Sequence, residues 1–185
     1  MSSKINYKKD CVVVNLIGGP GTGKSILAAD LFSVIKRNGI TCDVSWEYIK
    51  RKIREKAKKV TLSQIYLFGK QQFQLFTLKD EVYVIITDSP LLLNPIYDKD
   101  ECPLLKALVL KEYNKYDNLL YFVERDPNYE YETEGRYQDK EEAKIVDEKV
   151  KSFLFQNEIE YTTVCGIGPD VIARIVNDVK NKLNK

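Results

Sequence analysis

The chain has 185 residues, 44% of them hydrophobic, which suffices for one domain spanning 1–185 with a single sizeable core. Its 29 lysines and arginines nearly balance 27 aspartates and glutamates, and the resulting charge of +2 drives the molecule onto neither nucleic acid nor an acidic membrane. Histidine is absent, which excludes Ser-His-Asp and Cys-His catalysis and imidazole metal sites, so proton transfer falls to carboxylates, lysine or tyrosine.

The first ten residues, MSSKINYKKD, contain no apolar signal core, and no apolar run is long enough to span a bilayer, so a soluble, cytoplasmic protein with no membrane partner is expected. VVVNLI (12–17) reads as a buried strand and runs into GGPGTGKS (18–25). A helix over 24–38 follows, apolar at Ile26, Leu27, Leu31, Val34 and Ile35, with Gly39 suited to the left-handed stop. ITCDVS (40–45) is the second strand. A helical region begins near Glu47, and another opens at Thr61, where Gln64 would complete a capping box. VYVIIT (82–87), NLLYFVE (118–124) and IEYTTV (159–164) are the remaining strands. The remaining helices are PLLKALVLKEYNK, DKEEAKIVDEKVKSFL, headed by Asp139, and PDVIARIVNDVKNKL; Pro103 and Pro169 sit at first-turn positions. Strands alternating with helices predict a parallel sheet covered on both faces, hence a doubly wound α/β sandwich. Cys11, Cys42, Cys102 and Cys165 are too scattered for a metal site and read as buried thiols of a reducing compartment.

Between strand and helix, Gly18, Gly19, Pro20, Gly21, Thr22, Gly23, Lys24 and Ser25 fit G-x-x-x-x-G-K-[ST] in the order that nucleotide binding requires. The glycines let backbone amides converge on a phosphate at a helix N-terminus. Lys24 reaches the outer phosphates of ATP, and the Ser25 hydroxyl is a ligand for Mg2+. A site of this kind also needs a carboxylate at a neighbouring strand end. Asp88, closing VYVIITD, supplies it, or serves as a turn residue before Pro90; the two roles are compatible. Glu47, just past the second strand, reaches the same edge and is the expected acceptor of a hydroxyl proton, with stabilisation of the next helix as its alternative. Asp43, inside the strand, is a weaker candidate.

The stretch 125–138, RDPNYEYETEGRYQ, is too long for a simple connection and reads as a loop or a lid. Arg125 and Arg136 on it would close over phosphates, an effect worth ~10³-fold or more in rate where such arginines exist; alternatively they pair with the adjacent glutamates. The excursion 47–80 walls the acceptor side. Its first half carries Lys50, Arg51, Lys52, Arg54, Lys56, Lys58 and Lys59 against Glu55 alone, either a solvated face or a clamp on a DNA backbone. Its second half sets Gln64, Phe68 and Gln71 on one helical face, amides and a ring suited to a nucleobase or equally to a buried helix.

Taken together, the phosphate loop, ITDSPLLL, KYDNLLYFVERD and the tyrosine–GRYQ stretch followed by EEAKIVDEKVKSFL resemble small bacterial and bacteriophage P-loop kinases. These are related to the nicotinamide riboside kinase-like and deoxynucleoside kinase-like ATPases, and the resemblance covers nearly the whole chain. It implies a three-layer P-loop kinase-like sandwich with a five-stranded parallel sheet and a lid. It also implies ATP with Mg2+ and transfer of the γ-phosphoryl group to a hydroxyl. It carries Lys24, Ser25, Asp88, Glu47, Arg125 and Arg136 into the roles above. The acceptors within that group range from free nucleosides and nucleotides to 5-hydroxymethyluridine in DNA, and a bacteriophage origin would place the protein in host cytoplasm. Deoxynucleoside kinases follow the third strand with an acid-arginine-serine signature, whereas this chain has TDSP. A P-loop NTPase switch or binding module, with water as its only phosphoryl acceptor, is the alternative from a different class.

Overall fold

The structure, a computed structural model, describes residues 11–48, 63–126 and 140–184. Along the chain come β1 (Val12–Ile17), α1 (Lys24–Arg37), β2 (Cys42–Ser45), α2 (Gln64–Leu78), β3 (Val84–Thr87) and α3 (Leu93–Tyr97). They are followed by α4 (Pro103–Tyr113), β4 (Asp117–Glu124), α5 (Lys140–Gln156), β5 (Thr162–Cys165) and α6 (Pro169–Leu183). The strands form one sheet in the order β2-β3-β1-β4-β5, and every adjacent pair is parallel.

All six residues of β1 are buried, and their alternation feeds two cores. Val12, Val14 and Leu16 join Leu27, Leu31 and Ile35 of α1 with Ile175 and Val179 of α6 on one face. Val13 and Ile17 join Phe68 and Leu75 of α2, Val109 of α4, and Val146, Val150 and Leu154 of α5 on the other. A buried branched aliphatic side chain contributes about 1.5–3 kcal/mol, so the strand that carries the glycine loop is anchored from both sides. This is the five-stranded, doubly covered α/β sandwich expected from the alternation of elements.

Element ends differ in instructive ways. The second and third strands begin at Cys42 and Val84, two residues later than expected, and the fifth spans Thr162–Cys165 rather than 159–164. Ile40 is buried, but its amide donates to the carbonyl of Ile35 and so completes the end of α1 instead of a ladder. Gly39 takes φ 77° at that stop, as the sequence predicts. The cap of α2 is Ser63, whose hydroxyl accepts from the Tyr66 amide, so Gln64 is the first helical residue rather than the last member of a box headed by Thr61. Thr61, the basic run 50–59 and Asp139 lie outside the described residues. The short helix α3 was not anticipated. All four cysteines are free, but only Cys42 is buried; Cys11 and Cys102 are half-buried and Cys165 is exposed, which corrects the expectation of four buried thiols. Among the described residues no helix is long and apolar enough to cross a membrane.

Candidate functional site

In a parallel sheet all strands deliver their C-terminal ends to one edge, and ligands settle where the strand order reverses. Here that position is β1, which sits between β3 and β4 while the chain visits β2 and β3 on one side and β4 and β5 on the other. The register aligns Asn15 of β1 with Thr87 of β3, and Thr87 with Ser45 of β2. The residues just beyond these three, namely the glycine loop, Asp88 and Glu47, therefore emerge side by side.

The loop turns into α1 at Gly23, whose φ of 85° is the left-handed region and which serves as N-cap without any side-chain cap. No cap side chain fills the space in front of the helix N-terminus, the usual receptor for a phosphate. Gly19 is required for a different reason: a Cβ there would lie 2.6 Å from the Ala143 carbonyl oxygen and 2.6 Å from Asp147 Oδ1. The Lys24 ammonium folds back over the loop, donating to the carbonyls of Gly18 at 2.9 Å and Gly19 at 2.5 Å and to Thr22 Oγ1 at 3.3 Å.

Asp88 is 2% exposed and joins the loop to the second strand. Its Oδ2 accepts from Ser25 Oγ at 2.6 Å, and its Oδ1 accepts from the Glu47 backbone amide at 2.8 Å. Ser25 and Asp88 thereby present hard oxygen donors side by side, the chemistry that suits Mg2+, which keeps several waters and takes its remaining ligands from phosphate. Among the described residues no three acids or thiols gather to hold a metal by themselves. Glu47 is half-buried.

Arg125 stands at the end of β4 with its side chain 18% exposed, and its guanidinium is engaged on several sides. Nε donates to Asp147 Oδ2 at 2.8 Å, Nη1 to the Pro20 carbonyl at 2.7 Å and Nη2 to the Ala143 carbonyl at 3.1 Å. It braces the loop 18–25 against α5. Arg136 and the rest of 127–138 lie outside the described residues. Asp126, Gly166 and Ile167 line a small cleft with Gly21, Thr22 and Gly23.

On the acceptor side, Gln71 is 8% exposed; its amide nitrogen donates to Ser89 Oγ at 2.7 Å, and its amide oxygen accepts from Asn94 Nδ2 at 2.6 Å. Phe68, at 6% exposure, belongs to the second core and offers no open ring face; Gln64 is half-buried at the first turn of α2. Sequence reasoning missed Asn94, Ser89 and Asp147. The first two lie in an apolar stretch that gave no periodicity, but Asp147 left a signal: Ala143, Asp147, Val150 and Leu154 share one helical stripe, and an acid on a buried stripe asks for a partner.

A protein-family model described as an AAA domain matches residues 13–168. No curated protein matches the chain by sequence. Among solved structures, a deoxyadenosine kinase from M. mycoides with the products dCMP and a flexible dCDP is 19% identical, with a TM-score of 0.55 over 93% of this chain and 98% of that one. The same enzyme with bound dATP is 18% identical, with a TM-score of 0.55 over 91% and 99% of the two chains. At such identities the likeness establishes a common fold, that of the P-loop kinases.

Proposed function

The chain belongs to the AAA domain family, and from that premise and the geometry around the loop we propose an ATP- and Mg2+-dependent kinase that phosphorylates a hydroxyl of a nucleoside-type acceptor. One observation carries the reading: Asp88 accepts from the loop serine and from the Glu47 backbone amide through its two oxygens, which ties the start of the Glu47 segment to the phosphate loop and supports Glu47 as the second carboxylate of the site. A nucleotide-hydrolysing switch could use the same loop, Ser25, Asp88 and Glu47 with water as the attacking hydroxyl, so what favours a nucleoside-type acceptor is the fold shared with the solved deoxyadenosine kinase structures.

In this reading the loop amides and Lys24 hold the triphosphate, and Ser25 and Asp88 hold Mg2+, which when bound offsets the charge of the outer phosphates. The acceptor oxygen bonds to the γ-phosphorus as the bond to the β–γ bridging oxygen breaks, ADP leaves, and the hydroxyl proton passes to the Glu47 carboxylate. Gln64 is assigned to the acceptor base, Gln71, whose amide is engaged by Ser89 and Asn94, and Phe68 support that wall from the core, and Arg136 is assigned the charge-stabilising part. The solved structures named above support a nucleoside-type acceptor through their own activity and ligands, either free or, if the basic run 50–59 contacts phosphates, as a hydroxymethylated base in DNA. Glu47→Gln should retain nucleotide binding and lose transfer by about 10²-fold or more, the usual worth of a general base. Undiminished turnover in that variant sinks the assignment.

A further inference from the structure

Asp147 has no part in the chemistry proposed above, yet it sits on the buried stripe of α5, and its side chain is only 13% exposed. Its Oδ1 accepts from the Gly19 backbone amide at 2.6 Å while its Oδ2 holds Arg125. An acid in such a place is costly unless bonded, and here both oxygens are used on the phosphate loop or on the arginine that grips it.

The peptide unit is planar and trans, so its N–H and C=O point in opposite directions. The Gly19 N–H belongs to the same rigid unit as the Gly18 carbonyl, and that carbonyl accepts from the Lys24 ammonium at 2.9 Å. Fixing the N–H on one side therefore fixes where the carbonyl receives Lys24 on the other. Arg125 repeats the device one step along. Its Nη1 holds the Pro20 carbonyl, and the N–H of that same unit is the Gly21 amide, which must then point away from Arg125.

We propose that Asp147, together with Arg125, is a positioning residue that aims Lys24 and the Gly21 amide through two peptide units of the loop. The proposal rests on the reading of the loop as an ATP site. The clasp joins residues 125 and 147 directly, so both flanks of the 127–139 stretch end on the phosphate loop. Mis-set loop peptides thus affect phosphate binding with no direct contact between Asp147 and nucleotide.

The test measures the dissociation constant of a non-hydrolysable ATP analogue with Mg2+ by calorimetry, alongside thermal melting without nucleotide, for the wild type, Asp147→Ala, Asp147→Asn and Arg125→Ala. Asp147→Ala should bind about tenfold or more weakly at a temperature where it is fully folded, the loss expected for one charge-assisted hydrogen bond. Asp147→Asn keeps one oxygen for the Gly19 amide but loses the acceptor for Arg125 Nε, so its affinity should fall between those of alanine and wild type. Arg125→Ala, which frees the Pro20 carbonyl, should weaken binding as well, and it decides the matter if Asp147→Ala does not fold. A purely structural role would lower the melting temperature and leave the analogue's affinity unchanged in the folded variants; that result overturns the proposal. Asparagine no better than alanine would overturn the relay through Gly19. A wild-type protein that does not bind the analogue would instead bring down the nucleotide reading, and the clasp with it.

Discussion

Replacing Asp88 by asparagine and by alanine separates its structural part from its catalytic one. The carboxylate accepts from a hydroxyl at 2.6 Å and from a backbone amide at 2.8 Å while 2% exposed. In Asp88→Asn one oxygen can still serve the Glu47 amide, which only donates. The new NH2 then faces Ser25, whose hydroxyl can turn and accept. What is lost is the ionic character of two bonds, and charge-assisted bonds are about twice as strong as neutral ones, so the cost should be about 1–2 kcal/mol. For a chain of this size that lowers the melting temperature by roughly 3–6 °C. Asp88→Ala removes both acceptors from a buried spot and should cost about 3–5 kcal/mol, with a shift of roughly 10 °C or more. Both variants should lose Mg2+-dependent phosphoryl transfer by about 10²-fold or more, because neither retains an anionic oxygen beside Ser25. Calorimetric melting and a γ-labelled ATP assay on the same preparations check this. Equal destabilisation by asparagine and alanine would refute the bonding argument, and normal transfer in Asp88→Asn would refute the metal role.

Further outcomes follow from the same geometry. Gly19→Ala should destabilise by about 1–3 kcal/mol, as overpacking does, because its methyl would lie 2.6 Å from a backbone carbonyl that cannot swing away; an unchanged melting temperature contradicts the close approach. Tyr121→Phe should cost about 1 kcal/mol by deleting a hydrogen bond, since the phenol is 2% exposed and donates to Asp178 at 2.9 Å; burial first and then Asp178 raise its pKa, so the donor persists across the ordinary pH range. Thiol alkylation near pH 8 should reach exposed Cys165 first and, much later, Cys42 and Cys11, the latter with its thiol pushed up to about 12 by burial. Burial pushes the Cys42 thiol up to about 11, and a raised thiol pKa means less thiolate at that pH. Mass mapping that finds Cys42 modified as fast as Cys165 contradicts the burial.

The parts of the site that were legible beforehand are those where neighbouring residues dictate conformation. GGPGTGKS needs only the adjacent strand and helix to declare itself, and Asp88 stands out because an apolar strand ends in an acid. The limits of β2 and β3 were less legible because apolar composition reports burial and not pairing: Ile40 is core, yet it belongs to the end of α1. The helix α3 escaped notice because Pro95 sits inside it and five residues show no period. Arg125 was read as part of a lid from its neighbours in sequence; its bonds to Asp147, Ala143 and Pro20, the last 105 residues away, could not be seen from that stretch. The helical spacing sets Gln64, Phe68 and Gln71 on one face; that Phe68 turns into the core and Gln71 toward Ser89 and Asn94 depends on α3, which the pattern did not reveal.

The central claim is that phosphate leaves ATP for a hydroxyl other than water's. It is tested most directly by incubating the protein with Mg2+ and γ-labelled ATP in the presence, separately, of nucleosides, nucleotides and hydroxymethylated DNA. The account predicts label on one of these acceptors, abolished in Glu47→Gln while nucleotide binding persists. Label released only as inorganic phosphate, at the same rate with every pool, would contradict it.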